Sequence, residues 1–176
     1  DGVIDSNDQA PIGYNPVPEM TFSLTAGLNW KGFDFSVLLQ GATRSSIYLQ
    51  GDIAWDNSWG NYYEEHIGRW TPETAATATY PRFTKAATAT HPNYYKSDYW
   101  LKDSKYLRLK NIQLGYTIPR KLLKKIGIRS LRVYTNAYNL LTWDNVKKVD
   151  PESPNNSNGQ FYPQQKVINF GINLNF

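Results

Sequence analysis

The sequence predicts an all-β chain of antiparallel strands whose two faces meet different media. Three observations carry this. Apolar and polar residues alternate strictly in several stretches of about ten residues. Aromatics make up 15% of the 176 residues (six Trp, thirteen Tyr, seven Phe), yet the mean hydropathy is only −0.58. Short and long links also alternate between the stretches. A soluble β-sandwich shares the composition, so the case rests on the individual elements.

Met20, Phe22, Leu24, Ala26, Leu28 and Trp30 point one way, with Thr21, Ser23, Thr25, Gly27 and Asn29 opposite. Lys31-Gly32 suits a two-residue hairpin turn. Phe33, Phe35, Val37 and Leu39 then alternate with Asp34, Ser36, Leu38 and Gln40 as far as Gly41. Residues 42–104 carry little periodicity, although Ser45 to Trp55 reads as an extension of the preceding strand. From Lys105 a strand begins whose second half sets Ile112, Leu114, Tyr116 and Ile118 against Asn111, Gln113, Gly115 and Thr117. Its first half, Tyr106 to Lys110, runs in the opposite phase, as a bulge or a position above the lipid would explain. Pro119–Ile128 is a connector of one or two helical turns with Gly127 as its C-cap.

Leu131, Val133, Thr135 and Ala137 alternate with Arg132, Tyr134, Asn136 and Tyr138 in a strand reaching about Trp143. Residues 144–165 form a Pro/Asn/Ser-rich loop. The last strand, 166–176, sets Ile168, Phe170, Ile172, Leu174 and Phe176 against Asn169, Gly171, Asn173 and Asn175. Asparagine is normally depleted from strands. A face of Asn opposite a face of large apolar groups describes a strand between lipid and a wet lumen. The links run two residues, about sixty, about ten and about twenty-two, as in outer-membrane barrels with short periplasmic turns and long extracellular loops. With Phe176 at the periplasmic rim, Lys31-Gly32 and 119–128 fall on the periplasmic side. Residues 1–19, 42–104 and 144–165 fall outside the cell.

Other classes find little support. There is no cysteine, hence no disulfide framework or thiolate metal site. No run of eighteen apolar residues exists to make a membrane helix. The chain opens Asp1-Gly2-Val3 without Met or a charged-then-apolar leader, and is expected to come from within a longer protein. A formal charge of +4 is too mild to imply nucleic acid. The two histidines, His66 and His91, have no metal-ligand spacing. With no nucleophile motif or phosphate loop, the chain is not expected to be an enzyme.

Several segments carry a family resemblance. Ser97-Asp98-Tyr99-Trp100-Leu101-Lys102-Asp103, Lys105 to Ile112 and Leu114-Gly115-Tyr116-Thr117-Ile118-Pro119 resemble the long motif near the end of SusC/RagA-family TonB-dependent transporters. Arg69-Trp70-Thr71-Pro72-Glu73 with Tyr80-Pro81-Arg82 resembles that family's preceding loop motif. Asn139-Leu140-Leu141-Thr142-Trp143, Asp150-Pro151-Glu152 and the Phe-ended final strand complete the match over essentially the whole chain. The resemblance implies the last five or so strands of a barrel of about 22 strands around a plug absent from this chain. It further implies import energised through TonB, a SusD-like lipoprotein lid, and glycans or peptides as cargo. The aromatic wealth leans toward glycans. The alternative is a secreted β-sandwich that binds carbohydrate through exposed aromatics.

Candidate sites follow. Asp1 to Asp8 reads like the back half of a calcium loop, with Asp1, Asp5 and Asp8 as ligands around Gly2; an ion-free Asp/Asn/Gly turn is the plain alternative. No cofactor is otherwise expected. The 42–104 loop holds Trp55, Trp59, Tyr62, Tyr63, Arg69, Trp70, Tyr94, Tyr95, Tyr99 and Trp100, interleaved with acids including Asp56, Glu64 and Glu65. Such aromatics stack on sugar rings or peptide side chains, while charged neighbours bind polar groups. They could equally pack on one another or dock the lipoprotein. Arg120, Lys121, Lys124, Lys125 and Arg129 surround Leu122, Leu123 and Ile126, by default a solvated turn; nucleic-acid binding is the functional alternative, and in a barrel the cluster would face the periplasm and touch lipid headgroups. Phe170, Ile172, Leu174 and Phe176 resemble the signal read by the barrel-assembly machinery, and are equally a lipid-facing surface.

Overall fold

The computed structural model describes residues 2, 6–56, 62–84, 91–153 and 161–176. It divides into two compact units, one made of residues 18–44, 105–145 and 163–176, the other of 1–17, 45–104 and 146–162.

The first of these is a five-stranded antiparallel sheet. Its strands are β1 (Met20–Trp30), β2 (Phe33–Thr43), β5 (Tyr106–Thr117), β6 (Ser130–Asp144) and β7 (Val167–Asn175), each hydrogen-bonded to the next in chain order. Lys31 and Gly32 both have positive φ (46° and 90°), the geometry that matches a two-residue turn to strand twist. Between β5 and β6 the chain makes one helical turn, α1 (Arg120–Leu123), then a 3-10 turn (Lys124–Ile126) closed by left-handed Gly127.

Register carries the alternation across all five strands. Leu28, Phe35, Leu114, Thr135 and Phe170 form one cross-strand row, and Ala26, Val37, Ile112, Ala137 and Ile168 the next. Gly27, Ser36, Gln113, Asn136 and Asn169 form a row on the opposite face. The phase reversal in β5 is resolved by a bulge. Leu38 pairs with Asn111 but Leu39 pairs with Leu109, so Lys110 is passed over. Leu107 and Leu109 thereby return to the apolar face and Arg108 to the polar one. On β6 the same irregularity is met at left-handed Asn139, whose φ is 51°. Its amide donates to the Gln165 carbonyl at 3.1 Å.

Among the described residues no second layer covers the apolar face. Leu28 is 64% exposed and Phe170 84%. This disfavours the sandwich, in which a second sheet would bury those side chains. On the polar face, Asp34 of β2 reaches over β5 to Arg132 of β6, whose Nε donates to the carboxylate at 2.9 Å while a second nitrogen closes the ion pair. Gly115 lies beneath the pair, and a Cβ there would collide with both partners. Tyr134 in turn lies over Gly171 and receives the Arg132 guanidinium 4.8 Å from its ring centroid.

The second unit contains a two-stranded ribbon, β3 (Ser46–Tyr48) with β4 (Leu101–Asp103), and several 3-10 turns. Here the reading of Ser45 to Trp55 as continued strand needs correction. Positive φ at Arg44 (55°) separates β2 from β3, extended structure ends at Tyr48, and positive φ at Gly51 (61°) opens a 3-10 turn over Gly51–Ile53. No helix among the described residues is long and apolar enough to cross a membrane, which does not bear on crossing by strands.

Candidate functional site

The 42–104 segment lacks periodicity because its core is built from scattered aromatics. Ile47, Leu49, Ala54, Tyr80, Tyr94, Trp100 and Val146 form one buried cluster, with Trp55 and Phe83 packed against it. Burying rings requires partners for their polar tips. Trp100 Nε1 donates to the Asn93 carbonyl at 2.8 Å, and the Tyr80 hydroxyl donates to the Ala54 carbonyl at 2.6 Å. The Leu49 amide returns a bond to the Trp100 carbonyl at 3.0 Å, tying the ribbon's end to the cluster.

Two polar side chains organise this interior. Asp56 is 1% exposed and accepts from the Tyr94 hydroxyl and, at 3.0 Å, from the Thr84 amide. His66, 2% exposed, sits among the rings of Tyr62, Tyr63, Tyr80 and Phe83. Its Nδ1 accepts from the Tyr63 amide at 3.1 Å, so the bonded form is the neutral imidazole. Burial lowers the His66 pKa, against weaker opposing pulls from the Ala54 carbonyl and the Glu65 carboxylate. Burial raises the phenols of Tyr80 and Tyr94, with the Asp56 carboxylate adding to both, and pushes Tyr99 up to about 12.

The ligand-contact expectation therefore divides. Tyr94 and Trp100 are corrected to interior residues, 4% and 2% exposed, whose faces are spent on the fold. Trp55 is half-buried and packs tilted against Tyr94 with ring centroids 4.8 Å apart. Tyr62, Tyr63, Arg69, Trp70, Tyr95 and Tyr99 reach the surface. Trp59 lies outside the described residues, as do Asp1 and Asp5 of the calcium expectation. Asp8 ends a 3-10 turn, Ser6–Asp8. No cluster of three or more metal-ligating side chains occurs among the described residues.

Of these surface residues Tyr63 lines an open recess of about 450 Å³, together with Ile53, Glu64, Glu65 and Lys148. Lys148 comes from the 144–165 loop, pairs with Glu65 and donates to the Ile53 carbonyl at 3.4 Å. Beside it Tyr62 stacks on Phe83, centroids 5.5 Å apart, and the Arg69 guanidinium lies 5.1 Å from the Phe83 centroid. Flat faces with flanking charge of both signs can stack on a ring or side chain while binding its polar groups. His66, Phe83 and Lys148 were not singled out from sequence for this site. Phe83 follows the Tyr80-Pro81-Arg82 motif, which was a usable signal. Lys148 is distant in the chain and carried none.

No family model matches the chain. Among individual proteins, TonB-dependent receptor P26 of Formosa agariphila is 30% identical over 192 residues, an alignment covering 100% of this chain and 19% of the relative. The TonB-dependent receptor SusC of Bacteroides thetaiotaomicron is 26% identical over 182 residues, covering 99% and 17%. This is a SusC/RagA-like TonB-dependent receptor segment. The SusC/RagA-like segment also shares its fold with the RagAB peptide importer in its open-open state, at a TM-score of 0.75 and 23% identity, covering 100% of this chain and 19% of that one. It spans about a fifth of the length of the curated relatives it matches. The antiparallel sheet with two unlike faces fits a fragment of a TonB-dependent receptor's β-barrel.

Proposed function

We propose that the segment supplies about the last five strands of an outer-membrane barrel of about 22 strands, closed around a plug that this chain does not contain. The whole protein imports oligosaccharides or peptides, energised through TonB and lidded by a SusD-like lipoprotein. The observation that carries this reading is the in-register pair of faces over five strands, one apolar and exposed, the other polar and crossed by the Asp34–Arg132 pair. A sheet with two open edges leaves backbone groups unpaired in lipid, so the strands need neighbours on both sides.

In this arrangement residues 1–19, 42–104 and 144–165 are extracellular and 119–128 is periplasmic, with the C-terminus at the periplasmic face. The surface aromatics and Arg69, with the recess at Tyr63, Glu64, Glu65 and Lys148, contact cargo or lid. The outward row Phe170, Ile172, Leu174 and Phe176 serves both lipid and the barrel-assembly machinery. The 1–8 segment is retained as a candidate calcium loop that stiffens its loop rather than acting in transport. The direct test is uptake of labelled oligosaccharides and peptides by cells carrying the full-length protein, with and without functional TonB. TonB-dependent uptake of either class supports the reading, and uptake of neither, from panels of both, overturns it.

A further inference from the structure

The connector between β5 and β6 combines charge and exposed hydrocarbon in a way no part of the sheet requires. Arg120, Lys121, Lys124, Lys125 and Arg129 are all exposed, and no acidic residue occurs between Asp103 and Asp144. None of the five forms an ion pair among the described residues. Leu123 is tucked inward at 4% exposure, whereas Leu122 and Ile126 stand out at 69% and 64%. Both therefore expose hydrocarbon among the cations of one short connector.

The connector also leaves the sheet where the apolar face ends in aromatics. Trp30, Phe33 and Tyr116 occupy one cross-strand row there, with the Phe33 and Tyr116 rings 4.5 Å apart and Lys31 over Trp30 at 4.9 Å. Thr117, next along, begins the exit into the connector, held by the Ile118 amide donating to the Leu131 carbonyl at 2.9 Å. Aromatic rings at a strand end mark the level of lipid headgroups in a barrel.

We infer that the 119–129 connector is an anionic-phospholipid anchor, its cations holding headgroup phosphates while Leu122 and Ile126 enter the acyl boundary. The inference rests on the outer-membrane reading above. A soluble acidic protein would satisfy the charges but leave the two aliphatic groups in water. A lipid surface satisfies both, and it lies next to the aromatic row.

The test uses the full-length protein in detergent, with bound lipid counted by native mass spectrometry during competition between phosphatidylglycerol and phosphatidylcholine. Wild type should retain phosphatidylglycerol by about five-fold or more, the scale of a single well-placed cation at a membrane surface. Combined Lys121→Gln, Lys124→Gln and Lys125→Gln should sharply reduce that preference, leaving what Arg120 and Arg129 supply. Leu122→Ser with Ile126→Ser should weaken retention while keeping the preference for the anionic lipid. Equal retention of both lipids by wild type, or an unchanged preference in the triple variant, overturns the anchor. So does displacement of the lipid by millimolar inorganic phosphate, which would indicate a simple anion site. A full-length protein that dissolves without detergent would defeat the outer-membrane reading itself. A folded, detergent-requiring barrel without lipid preference defeats only the anchor.

Discussion

Placing a charge on the apolar face at mid-strand should be far costlier than placing the same charge one residue along. Ile112 lies in the middle of β5 on the row Ala26–Val37–Ile112–Ala137–Ile168, with paired strands on both sides. Its chain neighbour Gln113 lies in the polar row with Ser36 and Asn136. In a bilayer, Arg on the lipid face near the midplane costs about 2–4 kcal/mol, whereas lumen positions are far more tolerant. At 1.4 kcal/mol per factor of ten, Ile112→Arg should lower the folding equilibrium constant by roughly 30- to 700-fold. Gln113→Arg should lower it by less than about five-fold. The assay is urea titration of the full-length protein in lipid vesicles, read by loss of the heat-resistant, fast-migrating barrel on gels. Equal costs at the two positions would refute the assignment of faces. So would a larger cost at Gln113.

Three further outcomes follow from the interior of each unit. Gly115→Val should displace the Asp34–Arg132 pair and destabilise the barrel by about 1 kcal/mol, since both partners keep partial solvent access, and a shift in urea midpoint would show it. Asp56→Ala leaves the Tyr94 hydroxyl and Thr84 amide unpaired in the aromatic core, at a cost of about 2–4 kcal/mol confined to the loop unit. Hydrogen exchange should quicken across the described parts of 45–104 while β5 and β6 remain protected. His66 is held below its ordinary value of 6.5, so the unfolded state binds the extra proton first. Its contribution is complete above about pH 6.5 and is lost as pH falls from there toward the folded value. Protection factors in the loop unit, corrected for the intrinsic pH dependence of amide exchange, should therefore fall as pH drops below about 6.5, and His66→Gln should flatten that fall.

The sheet was legible in the sequence because a strand between two media must alternate at every residue. Met20–Trp30 reads off directly, whereas the Tyr106–Lys110 phase reversal fitted either a bulge or a position above the lipid until the register placed the bulge at Lys110. The loop unit was not legible in the same way. Its core brings Leu49, Tyr80, Trp100 and Val146 together from segments with no shared period, so a buried tryptophan and a surface tyrosine look alike in the sequence. Tyr94 and Trp100 could not be told from Tyr95 and Tyr99 until burial was known. The Asp34–Arg132 pair was hidden because its partners lie on strands separated by β5, and only register brings them over Gly115.

The central claim is that one face of this sheet meets lipid and the other water. This segment has no cysteine, so single cysteines can be placed along β7 of a full-length protein cleared of any cysteine elsewhere, spin-labelled, and scored for collision with oxygen against a water-soluble nickel chelate. The account predicts a two-residue period, with oxygen favoured at Ile168, Phe170 and Ile172 and nickel at Asn169, Gly171 and Asn173. Nickel access at Phe170 equal to that at Asn169, with the protein in a bilayer, would contradict it.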